Sequence, residues 1–559
     1  MTEPGLPQSL KEITPSQLEE ANKVKEMSTK EDPSNTEPLK AEQPKTEPVK
    51  TEPPIPEPPK PEPPQIWQPN QKDVAARQST FSHPSQTTIA QATKQLRSDW
   101  SPHSFHDLNL LPGLPEVIEK QALKHLKKNI ECTDIQKLVI PIITKLDTTN
   151  FEPSSETAQL RSFLIAAETG SGKTLAYLVP LINRLKREEE WALKNPENPN
   201  GIFNSRRAAS PRSIIVVPTS ELAEQIYDIL KQLSHTIKLT VCALLPKFDD
   251  HVVRKSILSK YIDVLISTPH RLNEFIQSNE LRRPMVRYLI VDEADTLFDR
   301  SFQDSFPPLL TSLLPTLTHL VLCSATIPAA LESQLSTQFP GMHRIVTPKI
   351  HTVPRRLDFK VAFESDKRVG LLNTLRSVQT NATEPDADVK RTIVFCNARE
   401  TVREVYEFLK AEEDIQAKAG DPLHFELIPF TRDNYDRHTA LERFNDKSPN
   451  TTPSDTSDST DQGPVEKWAK EGDSNSKALR VLITTDMASR GLDTLDCKTL
   501  VLYDIPFSNI DLLHRLGRTA RAGKRGKAIM LVSKAEYRGR TREWVNEIRD
   551  RVIKGEALV

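Results

Sequence analysis

Short apolar runs alternate with longer segments of helical pattern along most of the chain after about residue 98. The runs are rich in β-branched residues, and several end directly on polar residues. Continuous apolar strands that alternate with helices are typical of a parallel sheet covered by helices on both faces. The first series of runs, which predicts one such sheet, comprises residues 163–167, 213–217, 263–266, 288–291 and 320–323.

A second series of apolar runs follows a junction near residues 347–354 and predicts a second parallel-sheet domain. We therefore expect an α/β protein with one domain at 99–350 and another at 351–559. Ligands of such sheets bind at the carboxyl ends of the strands, so the polar residues after each run are candidates for chemistry. The runs of the second series are residues 392–396, 479–483, 499–503 and 528–532.

Residues 1–98 predict a disordered tail. Thr-Glu-Pro recurs at Thr36, Thr46 and Thr51, and residues 53–64 are mostly Pro, Glu and Lys. Such a segment has little apolar area to bury and favours an extended polyproline-II tether. An inert spacer is the default interpretation, and a proline-reading partner is the alternative.

Two further stretches interrupt the alternating pattern, at 186–212 and at about 445–477. Both predict mobile surface insertions. The second is rich in Ser, Thr, Asp and Pro, so a phosphorylation or partner site is an alternative to a tolerated loop.

The charges are unevenly distributed. The 75 Lys and Arg nearly balance the 76 Asp and Glu, yet the N-terminal stretch is acidic and the chain after about residue 500 has a basic excess. That excess suggests a polyanion partner, although a solvated basic face would look the same. The 5 scattered cysteines argue against a zinc site or a disulfide framework. We expect no membrane span, and the N-terminus shows no mitochondrial targeting pattern, so the protein works where it is made or a leader is missing.

Residues 167–174 read Ala-Glu-Thr-Gly-Ser-Gly-Lys-Thr, after a predicted strand and before a helical pattern. The glycines let backbone N–H groups turn toward phosphate oxygens, and Lys173 supplies a charge to the β- and γ-phosphates. Thr174 offers its hydroxyl to Mg2+. The motif predicts an ATP site made of Ala167, Glu168, Thr169, Gly170, Ser171, Gly172, Lys173 and Thr174.

An acidic pair, Asp292 and Glu293, follows the apolar run 288–291. A carboxylate at a strand end can hold Mg2+, which makes Asp292 a candidate metal ligand. Glu293 can orient and deprotonate the attacking water. Solvated loop charges are the alternative, and the matching phosphate loop argues against it.

Asp292-Glu293-Ala294-Asp295 resembles the name-giving motif of the DEAD-box RNA helicases, and other motifs of that family follow in order over about residues 100–535. The resemblance implies two tandem RecA-like domains and an ATP hydrolase that unwinds or remodels RNA. It implies adenine recognition by Thr133 and Gln136. It also implies contacts to RNA phosphates from Pro218 and Thr219 (motif Ia) and from Thr268, Pro269 and Arg271 (motif Ib).

The remaining motifs extend the resemblance into the second domain. Ser324-Ala325-Thr326 resembles motif III, and with Asp295, His514 and Arg515 it is implied to couple hydrolysis to unwinding. Arg437 and Thr485 are implied to contact RNA, and Gly491 and Asp493 to contact ATP. Arg518 and Arg521 lie three residues apart in a segment that resembles motif VI, so they share a helix face if that segment is helical. Guanidinium groups aimed at the γ-phosphate would act as arginine fingers.

Several residues depart from the usual family pattern. Ser220 stands where Arg is usual, Asn434 where Gln is usual, and His270 and Ala520 where Gly is usual. With the insertion before motif V, these resemble fungal mitochondrial DEAD-box helicases linked to large ribosomal subunit assembly. That resemblance implies a mitochondrial location, and the cytoplasm or the nucleus is the alternative. It also implies that the protein is a monomer whose partners include ribosome-assembly proteins.

Three functions are consistent with the motifs. The first is an ATP-dependent RNA helicase that holds RNA by its backbone with little sequence reading. The second is an ATP-gated RNA clamp with little unwinding. The third is a DNA translocase, against which the Gln136 motif and the Asp-Glu-Ala-Asp sequence argue.

Overall fold

A computed structural model gives the structure of the protein. The residues that it describes are 86–96, 102–124, 130–147, 160–195, 208–283, 286–354, 356–380, 390–419, 425–430, 437–445, 479–486, 497–520 and 524–558.

The first lobe is built on a seven-stranded sheet in which every neighbouring pair is parallel. The strand order is β3-β4-β2-β5-β6-β1-β7. Five of these strands match the first series of apolar runs, because a strand covered on both faces buries all its side chains. The strands are β1 (Arg161–Ala166), β2 (Pro211–Val216), β3 (Val241–Ala243), β4 (Ile262–Ser267), β5 (Tyr288–Val291), β6 (His319–Ser324) and β7 (His343–Val346).

Helices cover both faces of this sheet. The longest, α4, begins directly after the phosphate loop, and α5 begins at the N-cap Thr219, whose hydroxyl accepts a hydrogen bond from Leu222 N. The helices are α1 (Gln86–Leu96), α2 (Leu114–Val117), α3 (Asp134–Asp147), α4 (Lys173–Lys194), α5 (Ser220–Ile237), α6 (Asp250–Ser259), α7 (Pro269–Gln277), α8 (Ala294–Leu297), α9 (Phe306–Leu313) and α10 (Ala329–Gln338).

The second lobe has a six-stranded, all-parallel sheet in the order β10-β11-β9-β12-β13-β8. Its strands are β8 (Leu357–Glu364), β9 (Arg391–Cys396), β10 (Phe425–Phe430), β11 (Leu479–Thr485), β12 (Thr499–Leu502) and β13 (Gly526–Ser533). Its helices are α11 (Lys367–Thr380), α12 (Arg399–Ala419), α13 (Arg437–Asn445), α14 (Asn509–Leu516) and α15 (Gly539–Lys554).

Each sheet has one apolar cluster on each face, so the described residues contain four clusters in two layered lobes. The predicted α/β class with two parallel sheets is confirmed. In both sheets most of the sequence motifs follow strand ends and so lie at the carboxyl edge of each lobe, whereas Gln136 lies in α3 and His514 in α14.

Two sequence expectations need correction. Helix α1 lies within the predicted tail, where Ala92 is buried and Leu96 packs against the first core cluster. The insertion predicted at 186–212 starts as a continuation of α4 and ends at Arg212, which is buried. Residues 1–85 and 446–478 lie outside the described residues.

The described helices include none that is long and apolar enough to cross a membrane. The five cysteines are free thiols; four are buried, and Cys242 is partly exposed. Burial raises the pKa of Cys242 to about 11, so this thiol stays protonated.

Candidate active site

The phosphate loop connects β1 to α4 and requires glycine at its end. Gly172 has a φ of 89°, in the left-handed region that L side chains rarely adopt. A Cβ at this position would lie 2.7 Å from Gln136 Nε2 and 3.2 Å from Thr133 Oγ1. The loop and the adenine-motif residues are therefore packed against one another.

Gln136 is buried and uses both ends of its amide. Its Oε1 accepts a hydrogen bond from Thr133 N at 3.0 Å, and its Nε2 donates to Gly172 O at 3.2 Å. The structure thus places Gln136 between its own motif and the phosphate loop. A displacement of this amide is therefore transmitted directly to the loop backbone.

The Lys173 ammonium lies inside the phosphate loop. It donates to Ala167 O at 2.8 Å and to Glu168 O at 3.0 Å, which fixes the cation beneath the loop. Glu168 in turn accepts from Thr347 Oγ1 at 2.9 Å. The described loop therefore has a positive charge positioned for phosphate and a fixed connection to the residues after β7.

Asp292 follows β5 and is buried next to the loop. Its Oδ1 accepts from Glu293 N at 2.9 Å, and its Oδ2 accepts from the Tyr177 hydroxyl at 2.7 Å. Burial, followed by the neighbouring Glu293, raises the pKa of Asp292. A buried carboxylate whose charge is costly is the kind of group that a divalent cation stabilises.

The donor set fits Mg2+. Thr174 lies within hydrogen-bonding reach of the Tyr177 oxygen, which also contacts Asp292, so a hydroxyl and a carboxylate converge beside the phosphate loop. Hard oxygen ligands of this kind, few in number and next to phosphate, are typical of magnesium sites on nucleotides.

Glu293 has a left-handed backbone with a φ of 51°. This conformation is uncommon for a residue with a side chain and is found at functional sites. It turns the chain at the start of α8 and leaves Glu293 partly exposed beside buried Asp292. The geometry presents a carboxylate at the mouth of the nucleotide site.

Asp295 of the acidic motif contacts both motif III and the second lobe. The Thr326 hydroxyl donates to Asp295 Oδ2, and Ser324 Oγ donates to Thr326 O at 2.7 Å. His514 Nε2 lies 3.1 Å from the same Asp295 oxygen, and both side chains are buried. Four of the predicted coupling residues are thus brought together across the two lobes.

A second contact joins the phosphate loop to the second lobe. Thr169 Oγ1 donates to Gly517 O at 3.5 Å. A Cβ on Gly517 would overlap the Thr169 side chain, so only glycine allows this approach. The residues that follow α14 therefore lie directly over the phosphate loop.

The arginines of this segment occupy different environments. Arg515 is fully buried and pairs with Asp486 at 2.6 Å, and it also donates to Asn397 Oδ1 at 2.6 Å and to Asp504 O at 2.9 Å. These contacts lie within the second lobe. Arg518 follows the end of α14 at Leu516, so the predicted helix face does not extend to it. Its side chain is buried, and its Nε donates to His514 O at 3.3 Å. Arg521, Gly491 and Asp493 lie outside the described residues.

The predicted RNA contacts lie at strand ends or in the first turn of a helix. Pro218 is buried after β2, Thr219 caps α5, and Thr268 and Pro269 begin α7. Arg271 pairs with Asp250 and, at 2.8 Å, with Glu274. Thr485 ends β11 and is buried. Arg437 begins α13, and its side chain is outside the described atoms.

The family model for the DEAD/DEAH box helicase matches residues 133–333, and the model for the helicase conserved C-terminal domain matches residues 459–523. The chain is also 34% identical to the mitochondrial ATP-dependent RNA helicase mrh4 of Sclerotinia sclerotiorum, over 82% of this chain and 78% of that protein. This chain belongs to the DEAD/DEAH box helicase family. It is an ATP-dependent RNA helicase of the DEAD-box type, as the motifs predicted.

Further relatives carry the same description. The mitochondrial MRH4 helicase of Coccidioides immitis is 34% identical over 82% of this chain and 76% of its own length. That of Neurospora crassa is 31% identical over 86% of this chain and 80% of its own length. The names of these helicases confirm the predicted mitochondrial location.

Solved helicase structures share the fold. One is S. cerevisiae Dbp5 bound to RNA and ADP BeF3, with a TM-score of 0.55, 21% identity, and coverage of 80% of this chain and 93% of that one. Another is Mss116 bound to ssRNA and UDP-BeF, with a TM-score of 0.57, 18% identity, and coverage of 80% and 77%. Both confirm two tandem RecA-like domains.

Two residues of this helicase were not predicted from the sequence. Tyr177 lies one helical turn after Lys173. Its place three residues after Thr174 is the signal in the sequence that could have identified it as a neighbour of the proposed magnesium ligands. His351 is buried between the lobes, where its Nε2 accepts from Ile327 N at 3.1 Å and its carbonyl accepts from Leu558 N at 3.0 Å. No local pattern links residues so far apart.

Proposed function

We propose that this helicase uses ATP and Mg2+ to remodel RNA or RNA–protein complexes during assembly of the mitochondrial large ribosomal subunit. The assembly role follows the resemblance to fungal mitochondrial helicases, and the observation that best supports the ATP-dependent remodelling is the junction of two half-sites. Thr169 in the phosphate loop meets Gly517, and Asp295 meets His514. Motif residues from both lobes thus surround one nucleotide site.

ATP would occupy the first lobe through Gln136 and the phosphate loop, with Lys173 moving its donors from loop carbonyls to phosphate oxygens. Asp292 and Thr174 would hold Mg2+, which neutralises charge between the phosphates. Gly491 and Asp493 complete the proposed nucleotide contacts from the second lobe. These assignments follow the family resemblance, and the described contacts of Gln136, Lys173 and Asp292 support the part that lies in the first lobe.

Glu293 is the proposed general base. It is partly exposed next to buried Asp292, so its carboxylate can accept a proton from water in the cleft. Arg518 and Arg521 would place guanidinium charge on the γ-phosphate when the lobes close. Arg518 already lies next to His514, at the contact with Asp295.

RNA would cross both lobes along the carboxyl edges of the sheets. The proposed contacts are Pro218, Thr219, Thr268, Pro269, Arg271, Arg437 and Thr485. Contacts of this kind read phosphate and 2′-OH rather than base sequence. Arg271 would have to exchange its pairing with Asp250 and Glu274 for a phosphate, which makes its contact conditional on RNA.

Glu293→Gln tests the catalytic part. The amide keeps the shape of the side chain but cannot take a proton, so we expect ATP and RNA binding within about twofold of the wild type and hydrolysis lowered by about 100-fold or more. Steady-state ATPase assays and fluorescent nucleotide binding measure both. Turnover near the wild-type rate would remove Glu293 from the mechanism.

The cellular part needs a separate experiment. Depletion of the helicase should leave mitochondrial large subunits incomplete, as measured in sucrose gradients. Complementation with the wild type should restore them, and complementation with Glu293→Gln should not. A normal large-subunit peak under depletion would exclude the assembly role. Rescue by the inactive variant would favour the clamp alternative, because a clamp needs ATP binding but little turnover.

A further inference from the structure

Strand β8 is one edge of the second sheet and presents an aromatic side chain to solvent. It pairs with β13 on one side over its whole length, from Leu357 to Glu364. Phe363, near its carboxyl end, is 45% exposed. A single exposed apolar side chain is ordinary on a protein surface, so the neighbours of Phe363 decide whether it belongs to a binding surface.

A second aromatic side chain lies against it. The rings of Phe363 and Tyr537 have centroids 4.6 Å apart and an interplanar angle of 66°. The Tyr537 hydroxyl donates to Asn546 Oδ1 at 2.9 Å, which anchors that ring to α15. Phe363 therefore packs against a ring whose position is fixed, and part of the Phe363 ring remains exposed to solvent.

The chain around this aromatic pair is basic. Arg542 lies over the Tyr537 ring, with its guanidinium carbon 5.7 Å from the centroid. The side chains of Lys534 and Arg538, in the connection between β13 and α15, and of Arg540, in the first turn of α15, are exposed. These four cations and the two rings form what we call the β8 platform.

The nearby carboxylates leave the platform positive. Glu536 is partly exposed, and its charge is balanced by Lys367, whose ammonium lies 2.8 Å from the carboxylate. Glu364 lies on the opposite face of β8, because side chains alternate along a strand, and it packs against Gly370 of α11. Glu543 is the exposed carboxylate next to Arg542, so cations outnumber it at this surface.

We propose that the β8 platform binds a single-stranded segment of the RNA outside the ATP-gated contact. A basic surface with accessible aromatic rings is the arrangement that binds unpaired bases by stacking and the backbone by charge. The proposal rests on RNA as the partner of this helicase. It extends that role to a contact whose strength does not depend on lobe closure.

The position of the platform fits a longer RNA. It lies at the carboxyl edge of the second sheet, like the motifs after β9, β11 and β12. Strand β8 is four places from β11 in the sheet, which corresponds to about 19 Å at the usual strand spacing. A short oligonucleotide that fills the proposed path after β11 would not reach it.

Two variants test the platform. Phe363→Ala removes the stacking ring, and a double variant, Arg538→Gln with Arg540→Gln, removes two charges. The matched controls are Ile553→Ser, an exposed apolar residue at the other end of α15, and Arg403→Gln, an exposed arginine on α12. Fluorescence anisotropy with a short and a long single-stranded RNA, each with ADP and with a non-hydrolysable ATP analogue, gives the affinities.

For the long RNA we expect Phe363→Ala to weaken binding by about fivefold or more, equally with both nucleotides. The double-arginine variant should lower the salt slope of the affinity by about 1.4, roughly 0.7 for each phosphate that the arginines no longer neutralise. The short RNA, its stimulation of the ATPase and both controls should stay within about twofold of the wild type.

Unchanged affinity and salt slope for the long RNA would overturn the proposal. An equal loss of affinity for the short RNA would also overturn it, because the effect would then lie in the second lobe as a whole. Unchanged RNA binding with loss of a protein partner would assign the platform to protein instead. If the wild type bound neither RNA, the proposed function itself would be refuted. If the wild type bound RNA and the variants bound it equally well, only the platform would be refuted.

Discussion

At the scale of single residues, the site depends on a few side chains whose burial makes their partners indispensable. Asp292 is the clearest case, since two donors satisfy it and burial opposes its charge. The sequence predicted Asp292 and Thr174 because their motifs are local. It missed Tyr177 because a tyrosine on the buried face of a helix is ordinary core until a structure shows its hydroxyl next to a carboxylate.

Tyr177→Phe is expected to raise the Mg2+ concentration that gives half-maximal ATPase by severalfold. It removes one hydrogen bond to a buried carboxylate, which costs about 1–3 kcal/mol, and leaves Asp292 less fixed. Magnesium titrations of ATPase and of fluorescent nucleotide binding measure the change.

Tyr288→Phe is the matched control, because its hydroxyl contacts Arg184 and Glu188 instead. That variant should lose stability with no change in the Mg2+ requirement. The same Mg2+ response in Tyr177→Phe as in the wild type would show that Asp292 needs no help from the phenol.

Gly172→Ala is expected to weaken ATP binding by about tenfold or more. The left-handed φ costs a residue with a side chain about 1–2 kcal/mol, and the added methyl would displace Gln136 from the loop. Nucleotide titration measures the decrease in affinity. Gly341→Ala, where a Cβ meets nothing within 4 Å, should bind ATP normally. Comparable affinities for the two variants would contradict the tight packing of the loop.

At the scale of elements, the pattern of apolar residues predicted the strands that are buried on both faces but did not predict the strands at the edges of the sheets. Nine apolar runs became strands, whereas β3, β7, β8 and β10 were not predicted. All four lie at or beside the ends of their sheets. Edge strands are short or alternate with polar residues, and β10 contains Pro429, so a search for continuous apolar runs passes over them.

Ion pairs between elements explain why α4 extends into the predicted insertion. Arg212 at the start of β2 pairs with Glu188 of α4 at 2.7 Å and with Asp263 of β4 at 3.1 Å. Arg184 joins Glu188 at 3.0 Å. These buried ions look like surface charges in the sequence, because their partners are far apart along the chain.

Arg212→Met should destabilise the protein by about 3–5 kcal/mol near neutral pH, because it leaves buried carboxylates without their cation. Burial alone would raise the pKa of Glu188, but Arg212 and Arg184 outweigh it and hold that pKa below the ordinary 4.5. The stabilisation by this ion pair is therefore fully present above the ordinary pKa of 4.5 and is lost as the pH falls through the lowered pKa of Glu188.

Urea unfolding of the wild type and of Arg212→Met across this pH range measures the effect. The difference between them should shrink on acidification. Arg403→Met, which breaks an exposed pair, should cost less than about 1 kcal/mol at any pH. A gap between Arg212→Met and the wild type that stays constant with pH would contradict the linkage.

At the scale of the whole molecule, the connection between the lobes is well defined. Ile350 belongs to a core cluster of the first lobe and Val353 to one of the second, on either side of buried His351. The domain boundary between residues 350 and 351 stays a prediction. His351 also contacts Ile327, directly after motif III, so the linker and the coupling residues are in contact.

ATP and RNA are each expected to favour the same closed arrangement of the lobes, in which Thr169 lies against Gly517, and the proposed mechanism depends on this above all. Each ligand must then tighten the other by the same factor, typically about 5–150-fold. Gly517→Ala places a methyl group on the Thr169 side chain and should prevent this approach while leaving each lobe folded.

The most direct measurement is the RNA affinity with and without a non-hydrolysable ATP analogue, and the analogue affinity with and without RNA, for the wild type, Gly517→Ala and Gly341→Ala. We predict equal factors in both directions for the wild type and Gly341→Ala, and a factor close to one for Gly517→Ala with its separate affinities retained. No coupling in the wild type, or full coupling in Gly517→Ala, would contradict the proposed closure.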